Sequence, residues 1–395
     1  MNKLILIFLF ALSGIGIYNL FLHYQGKGAA QAPLDQQMVS FLQDYIRINT
    51  SQPNPAYDAA ISFLKKHAQK DGFECQEVLL PSGKKVLVIS FKGKDSSLPT
   101  IALNHHMDVV PANNDGWIKP PFAGEIHDGT IIGRGTQDMK GIGATHYFAL
   151  KQLKQEGFVP QRTIHIFAVP DEEIGGFTGT KQFVETNFFK QLHIGYIVDE
   201  GHASGNEKIL DIKVSERKPI QVQITSHGPM AHGSHLECEN AIHELVQFLN
   251  QIVIIHKEQQ KQISIIKKPG QLLSCNITSL SAGVKKENGH IALNIVPDSA
   301  NATIDIRVPP TMKKRETLQL LENAMGKFPQ LSYKILAQAD EEPDLGDHRT
   351  ILYKALSDAI AQYNLEAQPH YFEASSDLRF YQARGIDGVG FTPFT

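Results

Sequence analysis

Short apolar runs alternate with helical patterns along the first half of this chain, and that alternation limits the folds open to it. VLVISF, TIALNHH, TIHIFAV and HIGYIVDE read as strands, separated by the helix-like GATHYFALKQLKQEG and GTKQFVETNFFK. Apolar runs of this length bounded by turn residues fit strands buried on both faces, and their alternation with helices predicts a mostly parallel sheet with helices on both faces. In such sheets ligands bind outside the carboxyl ends of the strands, so the residues that follow each run carry the functional argument. Upstream, MVSFLQDYIRI and AAISFLKKHAQ have helical apolar spacing and are separated by the loop NTSQPNPAY.

After Gly205 the pattern changes. ILDIKVSE, PIQVQITS, LLSCNITSLSAG and ALNIVPDSANATIDIRV are strand-like, and helices are expected in NAIHELVQFLNQIVIIHKEQQ and KKRETLQLLENAMGKF. Strand pairs with helices between them indicate a separate, smaller α+β domain inserted over 210–325. Alternation resumes with ILYKALSDAIAQYN and QPHYFEA, so the catalytic domain is expected in two pieces, 33–209 and 326–395.

The 395 residues leave room for about two domains of roughly 150 residues. Charged residues make up 20 % and hydrophobic ones 42 %, which fits a globular chain rather than a disordered or polytopic membrane one. A net charge of −3 gives no basic footprint, so no nucleic-acid partner is expected. Residues 4–22, LILIFLFALSGIGIYNLFL, carry no charge. Their length lies near the roughly 20 residues of a spanning helix, so 1–32 is read as an uncleaved N-terminal membrane anchor, with a cleaved signal peptide as the alternative. Either places the remainder outside the cytoplasm. Cys75, Cys238 and Cys275 are widely spaced and form neither a disulfide framework nor a thiolate metal motif.

The strand ends share a chemistry. TIALN runs into His105-His106-Met107-Asp108, IIGRGTQ into Asp138, TIHIFAV into Asp171-Glu172-Glu173, and GYIV into Asp199-Glu200. A carboxylate after a strand is often only the cap of the next helix, and three adjacent acids are often only solvated charge. Imidazole and carboxylates gathered at one end of one sheet are, however, how hydrolytic metal sites are built. Such ligands without cysteine suit zinc, cobalt or manganese, and this many carboxylates fit two ions bridged by an aspartate better than one. In an extended segment His106 and Asp108 share a face and His105 lies on the other, so Asp108 is placed to orient His106. Of Glu172 and Glu173, one is suited to bind metal and its neighbour to act as general base.

LNHHMDVVPA, GRGTQDMKG, VPDEEIGG, VDEG and SHGPMAHGS resemble, in order and spacing, the motifs of the co-catalytic zinc peptidase and aminoacylase family, which includes aminoacylase, carboxypeptidases G and S and acetylornithine deacetylase. QDMK, SERKPIQVQITSHG and GFTPF resemble aminoacylase most. GWIKPPFAGEIHDGTIIGRGT is more similar to carboxypeptidase S. The resemblance implies two Zn2+: His106 and Asp199 on one, Glu173 on the other, Asp138 bridging. It implies Glu172 as the base, Asp108 as the orienter of His106, and His232 in the inserted lid or dimerisation domain as oxyanion stabiliser. Asn294 and Arg307 match positions that recognise the substrate's carbonyl and carboxylate. The implied substrates are N-acyl amino acids or short peptides with a free carboxylate, and the implied assembly is a homodimer. Read by themselves, His232 and His235 are surface-loop histidines, Arg307 is a partner for Asp305, and Asn294 serves the turn before Pro297.

The family pattern has one further histidine ligand beyond the segment matching GVGFTPFT, and no histidine follows His370 here. The chain is therefore expected to be incomplete at its C-terminus, with weak occupancy of the ion using Asp138 and Glu173. A metal-dependent amide hydrolase is the leading expectation. A binding protein that keeps the fold without the chemistry is the alternative, and a serine hydrolase is disfavoured because no GxSxG follows a strand.

Overall fold

The computed structural model describes residues 34–266, 268–340, 342, 346 and 349–393. The apolar segment 4–22, read above as an anchor, lies outside the described residues. In chain order, helices α1 (Leu34–Arg47) and α2 (Tyr57–Lys70) lead into strands β1 (Glu74–Leu79), β2 (Lys85–Phe91) and β3 (Thr100–His106). A small hairpin, β4 (Glu125–His127) and β5 (Thr130–Ile132), precedes helix α3 (Lys140–Gln155). Then come β6 (Ile164–Val169), the short helices α4 (Thr180–Phe183) and α5 (Asn187–Gln191), β7 (Ile194–Asp199) and β8 (Ile209–Glu216). The single helix expected over 179–190 is broken because the Thr186 hydroxyl accepts the Phe189 amide and starts a new helix.

Next along the chain are β9 (Lys218–His227), β10 (Ala231–His232), α6 (Ala241–Ile266), β11 (Ser274–Ala282), β12 (Ile295–Val296), β13 (Ser299–Val308), α7 (Lys314–Met325) and β14 (Leu331–Gln338). The chain ends in α8 (Ile351–Ala361), β15 (Glu366–Phe372), α9 (Leu378–Gln382) and β16 (Asp387–Phe391).

The main sheet has eight strands in the order β1-β2-β6-β3-β7-β16-β8-β15. Its centre, β6-β3-β7-β16, is parallel, while β1 pairs with β2, β2 with β6 and β16 with β8 in antiparallel fashion. Strand β6 is buried along its whole length, as a central strand covered on both faces must be. Helix α3 lies close on β3 because Gly143 has no side chain: a Cβ there would stand 2.4 Å from the His105 ring. Val86, Val88, Ala102, Phe167, Val169, Phe183 and Ile197 form one core of this unit.

The chain divides into two compact units, one comprising Met1–Val214, Asp347–Pro369 and Ser376–Thr395, the other Ser215–Gly346 and His370–Ser375. The second contains a four-stranded antiparallel sheet, β11-β13-β9-β14. Alternate residues of β9 and β13 are buried, and α6 contributes Ala241, Leu245, Phe248, Leu249 and Ile252 at helical spacing, so Ile220, Val222, Ile304, Phe248 and their neighbours build its core. The boundaries differ from 210–325 for two reasons. β8 pairs with β16 in the main sheet, and β14 pairs with β9, which carries residues 331–338 into the second unit. The three cysteines are free, Cys275 being buried.

Candidate metal centre

The ends of β3, β6 and β7 meet. His106 stands opposite Val169 in the parallel register, and Leu103 opposite Val198. Each chain then leaves the sheet with a different chemical group. His106 is buried, and one ligand atom each from His106, Asp138 and Glu200 lie within 4.8 Å of one another. His106 Nε2 is 2.9 Å from Asp138 Oδ1 and 3.4 Å from Glu200 Oε2. Among the described residues this is the one cluster suited to hold a metal ion.

Asp138 arrives by a different route from the one expected. The preceding strand, β5, pairs only with β4 outside the main sheet, so Asp138 comes from the turn before α3 rather than from a sheet strand. Nor does it cap that helix, whose N-cap is Met139 without a side-chain bond.

Asp199 is not part of the cluster, a correction to its expected role as ligand. By the β3–β7 register it sits level with Asn104, one pleat below His106, and its Oδ1 accepts from Asn104 Nδ2 at 2.8 Å. Tyr381 in turn donates to Asn104 Oδ1 at 3.0 Å. The chain must run past the strand end before a carboxylate reaches His106, and Glu200 is the residue that does so. The adjacent acid was visible in the sequence; the missing signal was where the strand stops.

The Asp108 carboxylate, buried, accepts the amides of Glu172 at 3.1 Å and Glu173 at 2.9 Å, which fixes the 3-10 turn Glu172–Ile174. Asp171, at the left-handed φ of 67°, is wholly buried and accepts from Tyr57 Oη at 2.8 Å and Gln52 Nε2 at 3.1 Å, and from Lys84 and Thr178. Its side chain makes no cap bond to the turn. His105 faces the other way, packed on α3 near the Tyr45 hydroxyl, and burial pushes its pKa down to about 3.

The electrostatics describe a site short of positive charge. Burial favours neutral His106, but hydrogen bonds to Asp138 and Glu200 and the charges of Asp138 and Asp108 outweigh it, holding its pKa well above the usual histidine value. Burial also opposes ionisation of Asp138; the bond to His106 and the charges of His106, Lys213 and Arg134 prevail and lower its pKa. The other acids go up. Burial and the charges of Glu200, Asp377 and Asp108 raise Glu172 well above its ordinary value, and burial with Asp138, Asp108 and Glu200 raises Glu173 to about 7. Burial raises Glu200 against the opposing pull of His106 and Lys213. Carboxylates crowded enough to favour protons are a donor set that a divalent cation relieves, and His with carboxylates and no thiolate is the ligand chemistry of zinc, cobalt or manganese.

His232, Asn294 and Arg307 belong to the second unit. His232, on the small β10–β12 ladder, and Asn294, in the turn just before β12, are exposed neighbours, with Asn294 Nδ2 3.3 Å from His232 Nε2 and His232 Nδ1 2.8 Å from Ser234 Oγ. The Arg307 guanidinium is bound by both oxygens of Asp305, at 2.7 and 3.2 Å.

A parallel-centred sheet with an inserted antiparallel domain and a His–Asp–Glu cluster at its strand ends defines a metallohydrolase. Residues 102–394 match the model of peptidase family M20/M25/M40, and the chain belongs to that family. It is 34 % identical to aminoacylase-1 of Mus musculus over 360 residues, covering 90 % of this chain and 86 % of that protein, and 34 % identical to the Homo sapiens aminoacylase-1 over 363 residues, with the same coverage. The M20 family metallo-carboxypeptidase Sso-CP2 from Sulfolobus solfataricus shares the fold at TM-score 0.69 and 17 % identity, covering 90 % of this chain and 91 % of that one. A Bacillus subtilis structure described as a dinuclear metal-binding peptidase of the M20 family matches at TM-score 0.59 and 16 % identity, over 90 % and 88 %.

The chain is a metal-dependent amide hydrolase, and the fold-only binding protein is not favoured. One expectation is corrected: an extracytoplasmic location rested on residues 4–22 alone. Kinship to aminoacylase-1 across 90 % of the chain overturns it. No helix among the described residues is long and apolar enough to cross a membrane.

Proposed function

We propose that this chain hydrolyses the amide bond of N-acyl amino acids, with short peptides bearing a free carboxylate as lesser substrates. The observation that carries the reading is the meeting of His106, Asp138 and Glu200 beside a turn that presents Glu172 and Glu173. In this reading His106, Glu200, Glu173 and Asp138 would hold two Zn2+, replaceable by Co2+ or Mn2+. When bound, the ions supply Lewis-acid stabilisation of negative charge and a more acidic water.

The residues' own parts follow from their placement. Asp108 accepts the Glu172 and Glu173 amides and so sets where both carboxylates stand. Glu172 takes a proton from the attacking water and delivers it to the leaving amine, a role helped by its raised proton affinity. His232 is proposed to stabilise the oxyanion, Asn294 the substrate carbonyl and Arg307 its carboxylate, supported by the motif resemblance; Arg307 has to exchange part of its bond to Asp305 for the substrate. Assembly as a homodimer is proposed on the same ground.

The test compares wild type and Glu172→Gln on N-acetyl amino acids, long-chain N-acyl amino acids and dipeptides, with metal content measured on the same samples. Expected are turnover of N-acyl amino acids by wild type, and loss of at least a hundredfold in kcat with metal retained in the variant. Cleavage of none of these substrates by the metal-loaded protein would refute the reading.

A further inference from the structure

The turn carrying Glu172 and Glu173 is held at both ends, and the second holder comes from a distant part of the same unit. Asp108 binds the amides of Glu172 and Glu173 at the start of the turn. At its end, the Gly175 amide donates to the Glu172 carbonyl at 2.7 Å, and the Gly175 carbonyl accepts from Arg379 Nη2, also at 2.7 Å. Arg379 is buried, and its Nη1 donates to the Ser376 carbonyl at 2.5 Å. The guanidinium therefore joins 175 to 376 through a rigid, planar fork.

The next residue along makes the second contact. A Cβ on Gly176 would stand 2.1 Å from Asp377 Oδ1 and 2.8 Å from the Phe380 ring, so only glycine permits this approach, and its φ of +66° is one that favours glycine. Asp377 is buried, and its Oδ2 accepts from Thr180 Oγ1, at the start of α4, at 2.5 Å. The two glycines of IGG thus serve an interaction: they let residues 376–380 close onto the turn.

We propose that Arg379 and Asp377 are positioning residues that fix the Glu172–Glu173 turn in its working geometry. The inference rests on the reading of Glu172 as base and Glu173 as ligand. A small displacement of a catalytic group lowers turnover steeply without altering what binds, so the defect belongs in kcat rather than in KM.

Wild type, Arg379→Met, Arg379→Lys and Thr180→Val, which removes only the hydroxyl on Asp377, are compared in two ways. Steady-state kinetics on an N-acetyl amino acid are referred to measured metal content. Hydrogen exchange is followed by mass spectrometry on peptides covering 169–179, with peptides of β3 and α3 as internal controls. For Arg379→Met a fall in kcat of tenfold or more is expected, with KM within twofold and metal content unchanged. Exchange should accelerate in 169–179 and not in the controls. Arg379→Lys should recover part of the lost kcat, because one ammonium donor can still reach the Gly175 carbonyl, and Thr180→Val should show a smaller loss of the same kind. If Arg379→Met does not fold, the other two variants decide. Wild-type kcat and exchange in both would overturn the proposal, as would a fall in kcat that merely tracks lost metal or folded fraction. An inert wild type would refute the functional reading, while local exchange would still decide whether the clamp exists.

Discussion

Asp108 holds His106 through its backbone rather than its carboxylate: His106 Nδ1 is 2.9 Å from the Asp108 carbonyl oxygen and 3.6 Å from Oδ1. A carbonyl only accepts, so Nδ1 carries a proton in either charge state and Nε2 faces Asp138 and Glu200; losing the Nε2 proton leaves the tautomer a metal ligand needs. The carboxylate is thereby left to bind the two turn amides. Asp108→Asn keeps the carbonyl but turns one acceptor into a donor facing an amide. Activity is expected to fall about 10- to 100-fold, with metal affinity changed less than activity. Titration of metal against the apo-variant alongside kcat measurements checks this; a metal affinity that falls as far as kcat contradicts the separation of roles.

The exchange of Asp199 for Glu200 gives a second prediction. Glu200→Ala removes one of three clustered ligand groups and should lower bound metal measurably at equal protein stability. Asp199→Asn should retain metal. Its cost lies in the buried network with Asn104 and Tyr381, of order 1–3 kcal/mol when a buried partner is disturbed. Metal analysis and urea titration on both variants distinguish the roles, and a metal-free Asp199→Asn of normal stability would restore Asp199 as ligand.

The candidate site was largely legible because period-2 alternation assigns side chains within a strand. His106 and His105 were separable on that ground, and the structure keeps them on opposite faces. Alternation says nothing beyond the last paired residue, so it does not decide between Asp199, the ligand that the motif resemblance implies, and Glu200, which meets His106. Asp138 was legible as a residue but not in its route, since a three-residue hairpin strand looks like a sheet strand until its partner is known. The β14 boundary and the Arg379 clamp depend on pairings between segments over a hundred residues apart, between residues 221 and 337 in one case and 175 and 379 in the other, which local pattern does not encode.

Asp171 supplies the next prediction. Its buried carboxylate gathers Tyr57, Gln52, Thr178 and the ammonium of Lys84, and so anchors the loop from which Glu172 and Glu173 project. Asp171→Ala leaves these donors without their acceptor, and removal of one partner of a buried ion pair costs about 3–5 kcal/mol. Because Lys84 is partly exposed, the lower end is expected. Denaturant titration should show this loss, whereas a change under 1 kcal/mol would mean that Asp171 only shapes the turn.

Two buried histidines away from the centre contribute to the response to acid. Burial pushes His146 down to about 3 and His165, whose Nδ1 lies 2.9 Å from Ser90 Oγ, down to about 4. Both pKa values lie below the unfolded value of about 6.5, so between those limits the unfolded chain binds more protons than the folded one. Their contribution to stability therefore rises with pH in this window, is complete above about 6.5 and is lost as the pH falls towards 4, whereas the raised carboxyls of Glu172, Glu173 and Glu200 in the metal-free centre act in the opposite direction. Replacing His165 by Gln, which keeps a polar group for Ser90 and cannot take up a proton here, should remove its share of that dependence while lowering stability at pH 7 only modestly. Urea titrations of the metal-free protein at pH 7, 6 and 5, for wild type and His165→Gln, give the two slopes. Equal slopes would show that His165 gains its proton as readily folded as unfolded.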